Sequence, residues 1–374
     1  MNQPLAGLRV VSLEQAAAAP LCTRRLALAG AEVIKIERPE GDFARGYDSA
    51  VYGQSSYFVW LNAGKKSVVL DLQSASGSEQ LRRLVETADV LVQNLKPGAL
   101  KKLGVDLDVL HGELPGLVSV SISGFHPDTS QADRKAYDLL MQAESGLAAI
   151  TGSAHEAGRV GVSIVDAATG MFAYEAILEA LLARVSSGQG ARLNVALFDA
   201  VAELLTVPYL LERYGGEAPQ RVGLAHPGIC PYGVFSSADG VDFVLSIQNE
   251  REWQRLAMAL KLGDLLDDPR CVDNETRVTH REFVDGEVQK AFTLQTWPAL
   301  QVCMDDADLA FAPVSPLAAL KDHPGLRTHA VAVGDSLVEV PQVPGLQRDA
   351  ALSIPSLGEH TEEVLSWLES DADQ

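Results

Sequence analysis

The segment "GLRVVSLEQAAAAPLCTRRLALAGAEVIKIE" (7–37) decides the fold. Its first part, "GLRVVSL" (7–13), is a near-continuous apolar run closed by polar residues, the pattern of a strand buried on both faces. The stretch "AAAAPLCTRRLALAG" (16–30) is small and apolar and ends on Gly30, which predicts a helix with a glycine C-terminal cap. "AEVIKIE" (31–37) is a second strand. Connections this short join strand, helix and strand into a parallel βαβ unit.

The alternation continues outward. "SVVLDL" (67–72) reads as strand, "GSEQLRRLVETA" (77–88) as amphipathic helix, and "DVLVQNL" (89–95) as strand. "PGALKKLG" (97–104) is a short helix opened by Pro97, and "GLVSVSISGF" (116–125) is another strand. From 137 to 214 the apolar period becomes helical in "YDLLMQAESGLAAIT" and "ATGMFAYEAILEALLARVSSG", and a strand-like "ARLNVAL" precedes the helix "FDAVAELLTVPYLLERYGG". Gly and Pro gather at 215–228, a linker, and "YGVFSSADGVDFVLSI" predicts two strands joined by an Asp-Gly turn. Polar helical segments follow to 311, and the tail returns to strand, loop and a terminal helix. The expected class is α/β: a Rossmann-like large domain over 1–214, completed by 313–374, with 215–312 as linker and an inserted smaller α+β domain.

A chain of 374 residues, 47% hydrophobic, has length for two domains and material for a sizeable core. The net charge of -20 argues against nucleic-acid and anionic-membrane partners, which would repel it. Four cysteines (Cys22, Cys230, Cys271, Cys303) lie scattered without CxxC or metal-ligand spacing, so no metal is expected. No basic-then-apolar leader opens the chain and no apolar run approaches 18 residues; the expectation is a soluble cytoplasmic protein.

The βαβ start invites a dinucleotide reading, and Glu37 sits where a ribose-binding acid would. The turn after the first strand reads "EQAAAAP", however, without the glycines that let backbone approach a pyrophosphate. Basic residues recur around the strand ends: Lys35 and Arg38, Lys65 and Lys66, then Lys96, Lys101 and Lys102. Each alone is a solvated surface cation; together they suit a phosphate-bearing ligand in the crevice of an open α/β sheet. There is no GxSxG elbow and no HExxH, and His126, His155, His226 and His280 are isolated. In "RVGVSIVDAATGM" (159–171), Asp166 interrupts a small and apolar run where a helix begins. Asp is a favoured N-cap, which is one reading. A partly desolvated carboxylate, whose Gly and Ala neighbours leave room for a bulky substrate, is also what nucleophilic catalysis by a carboxylate requires.

The ordered set "PLAGLRVVSLEQAAAAPLCTRRLALAGAEVIKIERPEGD", "LNAGKKSVVLDL", "DVLVQNLKPGALKKLG", "SISGF", "AYDLLMQAESGLAAITG", "GQGARLNVALFDA", "HPGICPYGVFSSADG" and "PSLGEHTEEVL" resembles the family III coenzyme A transferases over nearly the whole chain. The resemblance implies that Asp166 is the catalytic carboxylate and that Gln15 lies close enough to hydrogen-bond a developing oxyanion. It places Arg38, Lys66, Leu70, Asn94 and Lys102 around the CoA nucleotide and pantetheine. It also implies an interlocked homodimer with no permanently bound cofactor, acting on an acyl-CoA and a free carboxylic acid. The racemase branch resembles the chain too, but it uses a "GHD" histidine and a glutamate early in the small domain. Here those positions read Ala136-Tyr137-Asp138 and Asn249, with Glu250 one residue on. Without an imidazole near neutral pH the transferase reading is favoured over a racemase or epimerase, and over a CoA-binding protein without chemistry. Ser123 stands where formyl-CoA transferase has a lysine, and the small domain lacks a long glycine-rich loop. The sequence looks most like the branch using succinyl-CoA with itaconate, mesaconate or citramalate. In that reading Arg159, Tyr137, Arg45 or Arg24 line the acceptor, an arginine fork suiting a distal carboxylate.

Overall fold

Six strands form one wholly parallel sheet in the order β3-β2-β1-β4-β5-β6 in the computed structural model, which describes residues 3–216, 219–345 and 350–370. In chain order they alternate with helices: β1 (Arg9–Leu13), α1 (Ala18–Leu28), β2 (Glu32–Glu37), α2 (Ser56–Asn62), β3 (Lys66–Val69), α3 (Ala75–Glu86), β4 (Val90–Gln93), α4 (Ala99–Lys102), α5 (Leu107–Glu113), β5 (Val118–Ser123) and α6 (Asp138–Glu144). After α7 (Leu147–Ile150) come α8 (Ile164–Ser187), β6 (Arg192–Ala196) and α9 (Leu197–Leu204). The chain steps outward from β1 to β3, then crosses back to place β4 against β1. The strand order therefore reverses between β1 and β4, and open α/β sheets bind ligands beyond the C-terminal strand ends at such a reversal.

The strand cores are near-continuous apolar runs because helices cover both faces; Val10, Val11, Val33, Ile34, Val68, Val90, Leu91 and Val92 are all buried. At the β3 edge the C-terminal segment closes the ladder. His360 donates its N–H to the Ser67 carbonyl at 3.0 Å, and Thr361 Oγ1 accepts from Val69 N–H at 2.9 Å. A covered edge cannot recruit another strand.

The chain forms two compact units, one of Met1–Ser145, Val160–Thr206 and Leu326–Gln374, the other of Gly146–Arg159 and Val207–Gly325. In the second, after α10 (Thr206–Leu210), an antiparallel sheet pairs β7 (Tyr232–Ser236) with β8 (Asp242–Ser246). The hairpin turns at Gly240 (φ 78), at the Asp-Gly pair the sequence marks. The helices α11 (Glu250–Ala259), α12 (Asn274–Thr279), α13 (Arg281–Phe292) and α14 (Trp297–Asp306) lead to the third strand, β9 (Ala310–Pro313), and pack around Phe235, Phe243, Phe292 and Trp253. The first unit then adds a small sheet of β10 (Thr328–Val333), β11 (Ser336–Pro341) and β12 (Leu352–Ser353), and the last helix, α15 (Thr361–Ser370).

Several boundaries differ from expectation for local reasons. The helix read over 137–151 breaks at Gly146 (φ 92) into α6 and α7. α2, "SYFVWLN", carries strand-like aromatic and β-branched residues, yet Ser55 caps it and Phe58 and Leu61 bury on the core, so tertiary packing overrides propensity. Residues 217–218 of the expected linker and 346–349 of the expected tail lie outside the described residues.

Candidate active site

α1 and α8 pack side by side in the same direction. Ala17 and Leu21 share a cluster with Ala167, and the Arg25 guanidinium lies 5.9 Å from the Tyr174 ring. The approach depends on Gly170: a Cβ there would stand 2.6 Å from the Ala18 carbonyl oxygen and 2.8 Å from Leu21 Cβ. The small residues after Asp166 thus serve helix packing, correcting the expectation that they clear space for substrate. Parallel packing brings the N-terminal ends of both helices together, and with them Gln15 and Asp166.

Asp166 is the third residue of α8 and does not cap it. Ser163 occupies the N-cap position, with its hydroxyl 2.8 Å from the Tyr57 hydroxyl and no capping bond of its own. The cap comes from 28 residues upstream: Asp138 Oδ1 accepts the N–H groups of Val165 at 2.8 Å and Asp166 at 3.2 Å. Gln142 holds that carboxylate, donating from Nε2 to Asp138 Oδ2 at 2.7 Å while its Oε1 accepts Val160 N–H at 2.9 Å. The helix N–H groups that would stabilise a charged Asp166 are taken by Asp138. Among the described residues, nothing donates a hydrogen bond to the Asp166 carboxylate. Burial, and then the Asp138 charge, push its pKa from 3.8 up to about 7.

Aromatic side chains surround this end of α8. The Tyr47 ring meets Phe43 at 5.7 Å and, edge-on, Tyr57 at 5.5 Å, and Tyr57 meets Trp60 at 5.9 Å. Burial pushes the Tyr47 phenol up to about 12, helped by Asp42, Asp166, Tyr137 and Tyr57. Gln15 sits on the turn after β1, at the reversal of strand order. Asn94, directly after β4, fixes its backbone from both sides: Gln15 N–H donates to Asn94 Oδ1 at 3.0 Å, and Asn94 Nδ2 donates to the Gln15 carbonyl at 2.8 Å. The Gln15 side-chain amide has no protein partner among the described residues. Ala16 follows in the left-handed region (φ 64), which costs a non-glycine residue roughly 1–2 kcal/mol. A carboxylate and a carboxamide, both without protein partners among the described residues, thus lie near the neighbouring N-terminal ends of two packed helices.

The sequence profile of CoA-transferase family III matches residues 5–361. The chain belongs to that family. It is 32% identical to the succinate–glutarate CoA-transferase of Agrobacterium fabrum over 98% of this chain and 96% of that one. It is 30% identical to the succinyl-CoA–D-citramalate CoA-transferase of Chloroflexus aurantiacus over 98% and 94%. A crystal structure of a CaiB/BaiF family protein from Brucella suis superposes with a TM-score of 0.83 at 31% identity, covering 98% of this chain and all of that one.

In this CoA-transferase, Arg38, Leu70 and Asn94 directly follow the C-terminal ends of β2, β3 and β4, on the sheet edge that carries Gln15. Arg38 is exposed, donating only to the Gly41 carbonyl at 3.1 Å and lying 4.0 Å from Glu40; Leu70 is core. Asn94 uses its carboxamide on Gln15. Lys102 ends the one-turn α4, exposed and without an ion pair among the described residues. Lys66 differs, because it opens β3 at the opposite edge and pairs with Glu32 at 2.9 Å and Glu363 at 2.8 Å.

The basic cluster inferred from sequence also loses Lys35 and Lys65. Both are fully buried ion-pair partners: Lys35 with Asp42 at 2.7 Å, and Lys65 with Glu14 at 2.6 Å. Arg45 lies in a bidentate pair with Glu37 (2.8 and 2.7 Å) and stacks on Phe58 at 3.8 Å, so its fork already holds a carboxylate. Burial raises Glu37, but Arg45, Lys35 and Ser67 reverse this and hold it at about 2. Tyr137 occupies the N-cap position of α6 without a capping bond and is exposed; Arg24 is buried within α1, and Arg159 falls in the second unit. Glu250 is bidentate with the buried Arg277 (2.8 and 2.6 Å) beneath Trp253, a structural pair. Sequence reading missed Asp138 as the cap, and also Tyr47 and Tyr57. The "YDLLMQ" run places Asp138 four residues before Gln142, and the "GDFARGYD" loop holds the tyrosine, but neither signals its long-range partner.

Proposed function

We propose that this enzyme transfers CoA from succinyl-CoA to a small dicarboxylic acid through covalent intermediates on Asp166. One observation carries the reading: the half-buried Asp166 carboxylate has no protein donor among the described residues and stands in the first turn of α8 beside the start of α1, which Gln15 shortly precedes. A carboxylate in that setting is a strong nucleophile once ionised. A carboxylate oxygen attacks the thioester carbonyl, the C–S bond breaks, and CoA leaves as thiolate from a mixed anhydride. The thiolate then attacks the Asp166 acyl carbon, releasing succinate and leaving an aspartyl-CoA thioester. The acceptor carboxylate attacks that carbonyl, expelling the thiolate and forming a second anhydride. Thiolate attack on the acceptor's acyl carbon yields the new acyl-CoA and restores the Asp166 carboxylate. In each tetrahedral intermediate the Gln15 amide donates to the oxyanion.

The dicarboxylate acceptor is supported by the relatives, whose names pair succinyl-CoA with D-citramalate and succinate with glutarate. Tyr47, Tyr57 and Tyr137 offer hydroxyl donors and apolar walls to such an acid, with Arg159 as a further acceptor-binding residue, while Arg38, Asn94 and Lys102 are read as lining the CoA path. The homodimer reading is supported by the exposed Leu182 and Val185 on α8 and by Val207 and Tyr214. The enzyme is read as cytoplasmic, and no described helix is long and apolar enough to cross a membrane. The test is incubation with succinyl-CoA and a panel of free acids, reading new thioesters by mass spectrometry. Mesaconyl-, citramalyl- or glutaryl-CoA is expected, abolished in Asp166→Asn. No exchange with any dicarboxylate overturns the substrate class, and exchange surviving Asp166→Asn overturns the mechanism.

A further inference from the structure

The loop after β2 and the turn after β1 meet at one buried carboxylate, Asp42. Its Oδ1 accepts two backbone N–H groups, that of Ala16 at 3.2 Å and that of Ala44 at 2.9 Å. Its Oδ2 accepts from Lys35 Nζ at 2.7 Å, and both side chains are wholly buried. Its own N–H donates to Glu37 Oε1 at 3.0 Å. Asp42 is therefore fixed in place by the β2 strand and in turn fixes two other segments. The first is the turn whose Ala16 is left-handed (φ 64) and whose preceding residue is Gln15. The second is the 3-10 turn Phe43–Gly46, which Asp42 caps and which delivers Tyr47 beside Asp166.

Three elements thus hold the Gln15 backbone. Asn94 clamps it from the β4 side, β1 leads into it, and Asp42 takes the N–H of the next residue. Without the Asp42 acceptor, nothing else described satisfies Ala16 N–H or holds an alanine in a backbone region it disfavours. Relaxation of Ala16 rotates the peptide joining it to Gln15, and a donor displaced by about 1 Å no longer meets the oxyanion. We propose that Asp42 is a positioning residue for the transfer reaction, setting the Gln15 amide and Tyr47 against Asp166 through the Ala16 and Ala44 N–H groups. This rests on the reading of Gln15 as the oxyanion donor.

The experiment is a double-mutant cycle in the full-length enzyme. Gln15→Ala removes a single oxyanion donor, for which a loss in kcat of about 100-fold or more is expected. Asp42→Ala is expected to lower kcat by at least 10-fold with KM for the acyl-CoA within about threefold, and to add less than threefold to the loss in the Gln15→Ala background. Asp42→Asn keeps an oxygen for both N–H groups and is expected to recover most of the kcat lost in Asp42→Ala. Equal losses from Asp42→Ala in both backgrounds overturn the proposal, because general destabilisation acts whether or not Gln15 is present. Should Asp42→Ala not fold, the cycle is run in a Lys35→Met background, which removes the buried ammonium that Asp42→Ala leaves unpaired; there, a loss from Asp42→Ala that vanishes when Gln15→Ala is also present supports the proposal, and equal losses with and without Gln15 overturn it. Hydrogen–deuterium exchange gives a readout independent of catalysis. Peptides covering 14–17 are expected to exchange faster in Asp42→Ala, with β4 unchanged, and unchanged protection at 14–17 in that variant overturns the positioning claim even if Gln15 proves to have another role.

Discussion

Replacing Asp166 with asparagine should kill exchange and stabilise the fold, by an amount that depends on pH. The carboxyl has a pKa of about 7 in the folded chain against 3.8 when free, from burial first and the Asp138 charge second. A folded value above the unfolded one means that the folded state binds the extra proton between about pH 4 and 7, so stability falls as pH rises through that window and is flat above it. At about 1.4 kcal/mol per pH unit, the carboxylate costs the fold about 2 kcal/mol at pH 5 and about 4 kcal/mol at pH 8. These are ceilings, because side chains and water relax around an ionised group. Asparagine has nearly the same shape and no charge, so it escapes the penalty. At about 2 °C per kcal/mol for a unit of this size, Asp166→Asn should melt up to about 8 °C above the parent at pH 8 and about half that at pH 5. Calorimetry at both pH values, beside a CoA-exchange assay, reads the result. In the parent, the acid limb of kcat/KM should fall near pH 7, since only the ionised carboxylate attacks. An asparagine variant no more stable than the parent at pH 8 would refute the reasoning. It would mean that folded-state donors pay the carboxylate's desolvation after all.

Other perturbations separate catalytic from structural roles around the same helix ends. Asp138→Asn keeps an acceptor for the Val165 and Asp166 N–H groups but removes a negative charge, so the acid limb should move to lower pH. Because burial is the larger cause of the rise, the limb should stay above the ordinary carboxylate range; a limb that does not move would show the charge is not felt. Arg45→Ala breaks the bidentate pair with a Glu37 side chain that is 1% exposed, so it should cost about 3 kcal/mol of stability. KM should change alike for every acceptor acid; an acceptor-selective rise in KM would restore Arg45 as a substrate clamp. Gly170→Ala forces α8 from α1 by setting a Cβ against the Ala18 carbonyl, costing about 1–3 kcal/mol in urea melts, and kcat should fall as Gln15 and Asp166 separate.

The fold was legible where local pattern and tertiary demand agree. β1 and β4 are short, mainly apolar runs, and burial on both faces of a parallel sheet asks for that pattern. Arg38 follows the strand read over 31–37, but Leu70 and Asn94 fall inside the strands read over 67–72 and 89–95, and only the shorter β3 and β4 put them at C-terminal ends. Lys66 shows another limit. Its place before the strand read over 67–72 marks the entry edge of a parallel sheet, but Glu32 and Glu363, which meet it there, are not signalled by the sequence. Lys35 and Lys65 expose a further limit, since composition counts a lysine as surface until a buried Asp42 or Glu14 is seen to meet it.

The same limit applies at the reactive centre, and there it explains the chemistry. Asp138 and Asp166 are both aspartates near helix starts, and residue type and neighbours suit either as a cap. Geometry divides the roles. Asp138 opens α6, and its side chain reaches the free N–H groups of α8, gaining two backbone donors and a third from Gln142. Asp166, already three residues into α8, cannot reach those groups, because they lie behind its own Cα and are taken. One carboxylate is thereby held by three protein donors. The other has none among the described residues, and its pKa is raised by burial and then by the first. A capped Asp166 would be a poorer base and a poorer nucleophile, however well placed. In the proposed mechanism the reactive carboxylate is the one denied its cap, and the 28-residue separation that hides this from a linear reading is what lets α6 supply the cap in its place.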